Sequence, residues 1–214
     1  MTRRLPPTAS VAEPAGDGRL FAPAAERNAQ AIADLLAEVA PATGRALELA
    51  SGTGQHVAVF AERFPGLRWQ PTEIAPERRA SIDAYAGGLA NVAPAVALDA
   101  CAPGWGAHWG GQDLVVLVNL LHLMSEPEAA VVLGEAAQAL APGGVFVIYG
   151  PFKRGGNLTS PGDEAFHASL VESDPAIGYK DDFDTMDLLQ GAGLEMAQVV
   201  EMPANNLALV ARKV

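Results

Sequence analysis

The stretch that most constrains this chain is Ala46-Leu-Glu-Leu-Ala-Ser-Gly-Thr-Gly-Gln55. A short apolar run, Ala46 to Leu49, ends in small residues, and the amphipathic stretch Val57 to Phe64 follows at once. That order predicts a strand, a tight glycine-rich turn and a helix. Gly52 and Gly54 permit positive φ and let a ligand come close to the backbone. The helix behind them points its free N–H groups at whatever lies in the turn. Glu48, at the end of the strand, adds a carboxylate.

That carboxylate sorts the ligand classes. A dinucleotide fingerprint needs a third glycine three residues after the second, where this chain has Val57. A P-loop needs Gly-Lys-Ser/Thr, and no lysine lies near. An acidic group beside the turn repels phosphate and suits a cation or an amine. The pattern resembles the first motif of the class I S-adenosylmethionine-dependent methyltransferases, Glu/Asp-x-Gly-x-Gly-x-Gly, whose ligand carries a sulfonium and an α-ammonium. The match falls at Glu48, Ala50, Gly52 and Gly54, with Ser51 inside the turn. Ala50 replaces the first glycine, which leaves the turn feasible but tighter.

With 214 residues, half of them hydrophobic and 18% charged, the chain suits one globular α/β domain. The apolar run from Leu114 to Met124, broken by Asn119 and His122, is too short to span a bilayer. Residues 1–20 lack the apolar core of a secretory signal, and Glu13 and Asp17 argue against a transit peptide; they read as a loose, flexible arm. A formal charge of −11 disfavours nucleic-acid binding. The single cysteine, Cys101, excludes an internal disulfide and a multi-cysteine metal site, and reads as a small buried residue. A cytoplasmic location, without membrane or metal, is the expectation.

Along the chain, Ala24 to Val39 has helical periodicity, with Pro23 before it and Pro41 after. Leu67 to Thr72 predicts a second strand ending at Glu73, where a carboxylate can accept both ribose hydroxyls of a nucleoside. A helix N-cap or a solvated glutamate is the ordinary alternative. Val92 to Leu98 predicts a third strand, followed by Asp99, and Asp113 to Val118 a fourth, buried on both faces. The fourth runs into Asn119-Leu-Leu-His122, at the sheet edge where such folds bind ligands. His122 is a candidate general base, with local packing as its alternative. Glu126 to Leu140 predicts a helix, and Val145 to Tyr149 a fifth strand. The Gly-rich stretch Gly150 to Pro161 is too long for a simple connector. Ala165 to Glu172 and Phe183 to Gln190 predict helices, and Leu194 to Glu201 with Asn206 to Arg212 predict a closing hairpin.

Several phrases taken together resemble a narrower group. They are Phe21-Ala-Pro-Ala-Ala-Glu-Arg-Asn28, Leu49-Ala-Ser-Gly-Thr-Gly-Gln-His56, Trp69-Gln-Pro-Thr-Glu73, Tyr149-Gly-Pro-Phe152, Thr159-Ser160, Ala165-Phe166 with Ser169-Leu170, and Glu201-Met-Pro-Ala-Asn-Asn206. The chain from Phe21 to Lys213 is similar to the methyltransferase-like family known as domain of unknown function 938, which includes methyltransferase-like protein 26. The resemblance implies a doubly wound, Rossmann-like seven-stranded α/β sheet with its last strand antiparallel, in one domain over residues 21–214. An N-terminal helix precedes the sheet, and a lid over about residues 151–190 follows strand five.

It also implies S-adenosylmethionine as cofactor, with S-adenosylhomocysteine as product. Phe21, Arg27 and Asn28 become candidates to cover the cofactor or hold its carboxylate, for which arginine offers two parallel hydrogen bonds. Asp99 would accept the adenine amine with Ala100 beside the base, and Ile74, Asn119 and Leu120 complete the set. Tyr149 joins His122 as a catalytic candidate. Phe152, Lys153, Arg154, Thr159 and Asn205 fall where a methyl acceptor should lie, although asparagine in a turn has a commoner explanation. The leading expectation is methyl transfer to an oxygen, nitrogen or sulfur of a small molecule. The alternatives are a protein or RNA methyltransferase and a non-catalytic S-adenosylmethionine-binding partner protein.

Overall fold

The computed structural model describes residues 5–6 and 9–214, so part of the expected loose arm, residues 1–4 and 7–8, lies outside the described residues. The rest of that arm forms a small hairpin of β1 (Glu13–Pro14) and β2 (Leu20–Phe21), leading into α1 (Pro23–Val39). β3 (Gly44–Leu49), α2 (Gln55–Arg63), β4 (Leu67–Pro71) and α3 (Pro76–Ala86) follow in strict alternation. After a one-turn helix α4 (Trp105–His108) come β5 (Gln112–Val118), a short 3-10 turn (Leu121–Leu123), α5 (Glu126–Ala139) and β6 (Leu140–Gly150). The remainder comprises β7 (Phe152–Lys153), α6 (Pro161–Ser173), β8 (Lys180–Asp181), α7 (Asp182–Gly191), β9 (Leu194–Met202) and β10 (Asn206–Lys213).

The central sheet has the order β4-β3-β5-β6-β10-β9. β4, β3, β5 and β6 run parallel, and β10 lies antiparallel between β6 and β9. Both faces are covered. Leu47, Val115, Leu117, Phe146, Ile148 and Leu209 pack on one side with Val132 and Leu133 of α5 and Leu189 of α7. Ala46, Leu114, Val116, Val147 and Val210 pack on the other with Ile32 and Leu36 of α1, Phe60 of α2 and Ile82 of α3. Alternation along each strand thus feeds two cores, as a sheet sandwiched by helices requires.

Among the described residues, six strands rather than seven make this sheet. Val92 to Leu98 follows β4 only through isolated parallel bridges, Trp69 with Val92 and Thr72 with Val96. The backbone explains why. Ala93 N–H donates to the Trp69 carbonyl, but the next regular donor, position 71, is a proline. The ladder resumes one residue late, when Val96 donates to the Pro71 carbonyl, and the skipped Ala95 N–H donates to Asp83 Oδ1 at 2.8 Å instead. β6 differs in the other direction, beginning at Leu140 beside Gln112 and crossing an irregularity before Val145. The stretch expected to be lid contains a two-stranded parallel pair, β7 with β8, between its helices. Among the described residues no helix is long and apolar enough to cross a membrane.

Candidate functional site

The C-terminal ends of β3, β4 and β5 open onto a cavity of about 720 Å³. Its floor is the turn after β3. Ala50 has φ 48, Gly52 φ 60 and Gly54 φ 94, so the chain turns through three left-handed residues, one of them non-glycine. Thr72 pins this turn: its carbonyl accepts from Ser51 N–H at 2.8 Å, and its hydroxyl donates to the Glu48 carbonyl at 2.9 Å. The two glycines of the motif have different reasons to be glycine. A Cβ on Gly52 would meet nothing nearer than Arg78 Nη1 at 3.6 Å, so that face is open to a ligand. A Cβ on Gly54, at φ 94, would lie 2.6 Å from the Ile82 Cα. Gly54 lets α2 lie against α3.

Glu73 folds back across the turn. Its two carboxylate oxygens accept Gly52 N–H and Ala75 N–H, both at 3.1 Å, which fixes the group and leaves lone pairs facing the cavity. Ile74 beside it is exposed at 61%, a large apolar side chain at the cavity wall. Asp99 also lines the cavity, its carboxylate oriented by Cys101 N–H at 3.0 Å. Arg27, Ser51, Ala100, Asn119 and Leu120 complete the expected residues found in this wall. Cys101 is only half-buried and lines the cavity as well.

Glu48 lies beneath the turn rather than in the wall. It is buried, its Oε2 has no hydrogen-bond partner among the described residues, and burial pushes its carboxyl up to about 8, with the Glu73 charge adding to the rise. Phe21 lies in β2, half-buried, and does not line the cavity. The neighbouring chain is tied to the loop instead, with Ala22 N–H donating to Gln55 Oε1 at 2.7 Å and Leu20 N–H to Ser81 Oγ at 2.8 Å.

Two wall residues were not legible from the motif. His56 lines the cavity at the start of α2; its Nε2 meets Asn28 Oδ1 at 2.7 Å, and burial lowers its pKa to about 4, so the ring is neutral and donates there. Arg78 reaches across from α3 and donates to the Ser10 carbonyl and hydroxyl at 3.1 and 2.7 Å, drawing the arm over the opening.

A second cavity of about 550 Å³ adjoins the first and shares Ala9, Ala24, Arg27 and Asn119 with it. Asn28, His122 and Tyr149 line this one. Burial lowers the His122 pKa to about 3, with the Lys180 charge adding to the drop. Burial likewise raises the Tyr149 phenol, against smaller opposing effects of Asn28, Asn206 and Arg27, and Asn206 Nδ2 donates to its oxygen at 3.0 Å. Neither group is a proton acceptor of ordinary strength near neutrality.

The five residues expected around an acceptor lie elsewhere. Phe152 is in the core under the sheet. Lys153 pairs into β7 and lines neither cavity. Arg154 bridges to Glu201 at 2.6 Å and donates to the carbonyl of Asn205 at 3.3 Å, while Asn205 Nδ2 donates to Thr159 Oγ1 at 2.7 Å. These three fasten the Gly-rich loop to the β9–β10 turn. The far wall of this second cavity is made by Asp163, Phe166, Tyr179 and Asn206. Phe166 and Asn206 stand in the phrases that carry the family resemblance; Asp163 and Tyr179 had no such marker.

Solved structures share this architecture. An O-methyltransferase family protein from Burkholderia thailandensis superposes with TM-score 0.75 at 20% identity, over 89% of this chain and 57% of its own. A putative O-methyltransferase from Nostoc punctiforme gives 0.74 at 21%, over 88% and 56%. Human N-acetylserotonin methyltransferase in complex with SAM gives 0.72 at 16%, over 89% and 52%. The chain therefore has the class I methyltransferase fold and spans little more than half the length of these structures. Residues 19–213 match the profile of the family described as a protein of unknown function, DUF938, and the chain belongs to that family.

Proposed function

We propose that this chain transfers a methyl group from S-adenosylmethionine to an oxygen, nitrogen or sulfur of a small molecule. The observation that carries this reading is the pair of adjoining cavities sharing Arg27 and Asn119. One is fitted for a nucleoside with an amino-acid tail, and the other is open beside it for an acceptor. The structural relative solved with SAM, human N-acetylserotonin methyltransferase, supports the choice of cofactor.

The residues suit that group. The Glu48 carboxyl, buried beneath the turn with one oxygen lacking a partner among the described residues, places a proton-holding group under the space for an ammonium. Glu73, braced by two N–H groups, can accept the ribose hydroxyls. Ile74 and Ala100 flank the space for a purine, with Asp99 at its edge. Arg27, with no hydrogen bond or ion pair among the described residues, is free to take the methionyl carboxylate. When bound, S-adenosylmethionine supplies an activated methyl group on sulfonium, which needs an aligned nucleophile and little else. This chain then contributes positioning and exclusion of water. Tyr149, oriented by Asn206, donates to the acceptor, and neutral His122 forms part of the wall. A nucleophile with a free lone pair suits such a site better than one that must first lose a proton to a strong base.

A cytoplasmic setting and a small-molecule rather than nucleic-acid partner belong to the same proposal, the latter supported by the charge of −11. So does the assignment of residues 151–190 as a lid over the acceptor. Calorimetric titration with S-adenosylmethionine and S-adenosylhomocysteine tests the core of it. Micromolar binding of both is expected, and absence of binding by the apo protein would overturn the reading.

A further inference from the structure

We propose that the molecule taken by the second cavity carries an ammonium group, held between Asp163 and a corner of three aromatic rings. The cavity's role as acceptor site rests on the methyl-transfer reading; its preference for a cation does not. His122, Phe166 and Tyr179 all line it and meet edge to face, with centroid separations of 5.6, 6.3 and 6.1 Å. Rings fixed in this way present electron-rich faces that attract cations within about 6 Å.

Asp163 supplies the opposite charge. It lines the same cavity, is 7% exposed, and lies in the first turn of α6. Its Oδ1 accepts the Tyr179 hydroxyl at 3.1 Å; its Oδ2 accepts the Ser160 hydroxyl at 2.7 Å and the amide of Asn205. All three donors are neutral, and no lysine, arginine or histidine forms an ion pair with Asp163 among the described residues. The carboxylate is thus rigidly placed, its charge met by the N-terminal end of the α6 dipole but by no ion-pair partner among the described residues.

The nearby cations do not fill that role. Lys180 donates to the carbonyls of Met124 and Gly178 at 2.7 and 2.9 Å, lies 3.8 Å from Glu126, and does not line the cavity. Arg27 stands on the wall shared with the first cavity. Asp163, Phe166 and Tyr179 line only the second. An ammonium has no lone pair, so the methylated atom is a different one, nearer the shared wall.

Titration of the full chain with phenethylamine, 2-phenylethanol and phenylacetate, each with S-adenosylhomocysteine present, tests this. The amine is expected to bind at least about tenfold tighter than the alcohol or the acid. Asp163→Asn should bring the amine to the level of the alcohol. Because Asp163 also anchors α6, Phe166→Leu provides a second variant, expected to weaken the amine more than the alcohol. Equal or better binding of alcohol or acid, or no amine binding at millimolar concentration, overturns the proposal. Binding of S-adenosylhomocysteine without amine preference rejects the ammonium and spares the methyl-transfer reading. Amine preference without S-adenosylhomocysteine binding does the reverse.

Discussion

Replacing each motif glycine by alanine should separate two functions that a single motif conceals. At Gly54 the added methyl would lie 2.6 Å from the Ile82 Cα and 3.2 Å from its Cγ1, so backbone must move and α2 must part from α3. Overpacking of this kind costs about 1–3 kcal/mol. A left-handed alanine adds about 1–2 kcal/mol. Together these lower the melting temperature by on the order of 10 °C for a domain of this size. Gly52 is left-handed too, but its methyl meets nothing within 3.5 Å and projects into the cavity. There the conformational cost is partly offset by about 0.5–1 kcal/mol from the restricted unfolded chain, so melting should fall by only roughly 2 °C. S-adenosylhomocysteine affinity, in contrast, should drop by about tenfold or more, the equivalent of an overpacked contact. Thermal melting of the apo proteins and calorimetry on the folded variants measure both quantities. If Gly52→Ala melts as low as Gly54→Ala, or Gly54→Ala keeps wild-type stability, the division is wrong.

Glu73→Gln should weaken S-adenosylhomocysteine by about 1.5–3 kcal/mol, the scale for hydrogen bonds to a charged group, in calorimetry. Glu48 is expected to give up a proton when an ammonium binds beside it, so below pH 8 the binding enthalpy should vary with the ionisation enthalpy of the buffer, and Glu48→Gln should remove that variation. Stability should peak near pH 6.5. His56 and His122, depressed from 6.5 to about 4 and 3, contribute stability that is present above 6.5 and is lost as pH falls towards those values. Glu48, raised from 4.5 to about 8, contributes stability that is present below 4.5 and is lost as pH rises to 8. Two groups against one leave a slope of about 1.4 kcal/mol per pH unit between 4.5 and 6.5, and one group leaves a similar, opposite slope from 6.5 to 8. Urea midpoints at pH 5, 6.5 and 8 check this; a monotonic trend would refute it.

The turn under the first cavity was legible because it is local. Glu48 to Gly54 and Glu73 each lie within a few residues of a strand end, where periodicity and turn chemistry announce themselves. The third strand was not, because Val92 to Leu98 is an apolar run that reads as a strand while Pro71, on the neighbouring strand, withdraws the donor it needs. The second cavity was the least legible. Arg154, Thr159 and Asn205 have the chemistry of ligand contacts and use it on one another. Asp163 and Tyr179 come together only because α6 and the turn before β8 fold onto the same opening. The Ser160-Pro161 pair does mark the start of α6, four residues earlier than hydrophobic spacing alone places it.

The position of β10 inside the sheet sets an order of assembly. β9 and β10 pair across separations of 4 to 19 residues, so that hairpin can close early. Its docking on β6 joins residues 57 to 67 apart and must close the whole intervening loop. That loop holds Asp163, Phe166 and Tyr179, and the hairpin itself brings Asn206. The first cavity, drawn mainly from β3, β4, β5 and the helices beside them, needs none of this. The two compartments should therefore mature separately, with amides of β3 and β5 protected from hydrogen exchange before those of β10 during refolding. A chain arrested between those stages would hold the first cavity before the second existed.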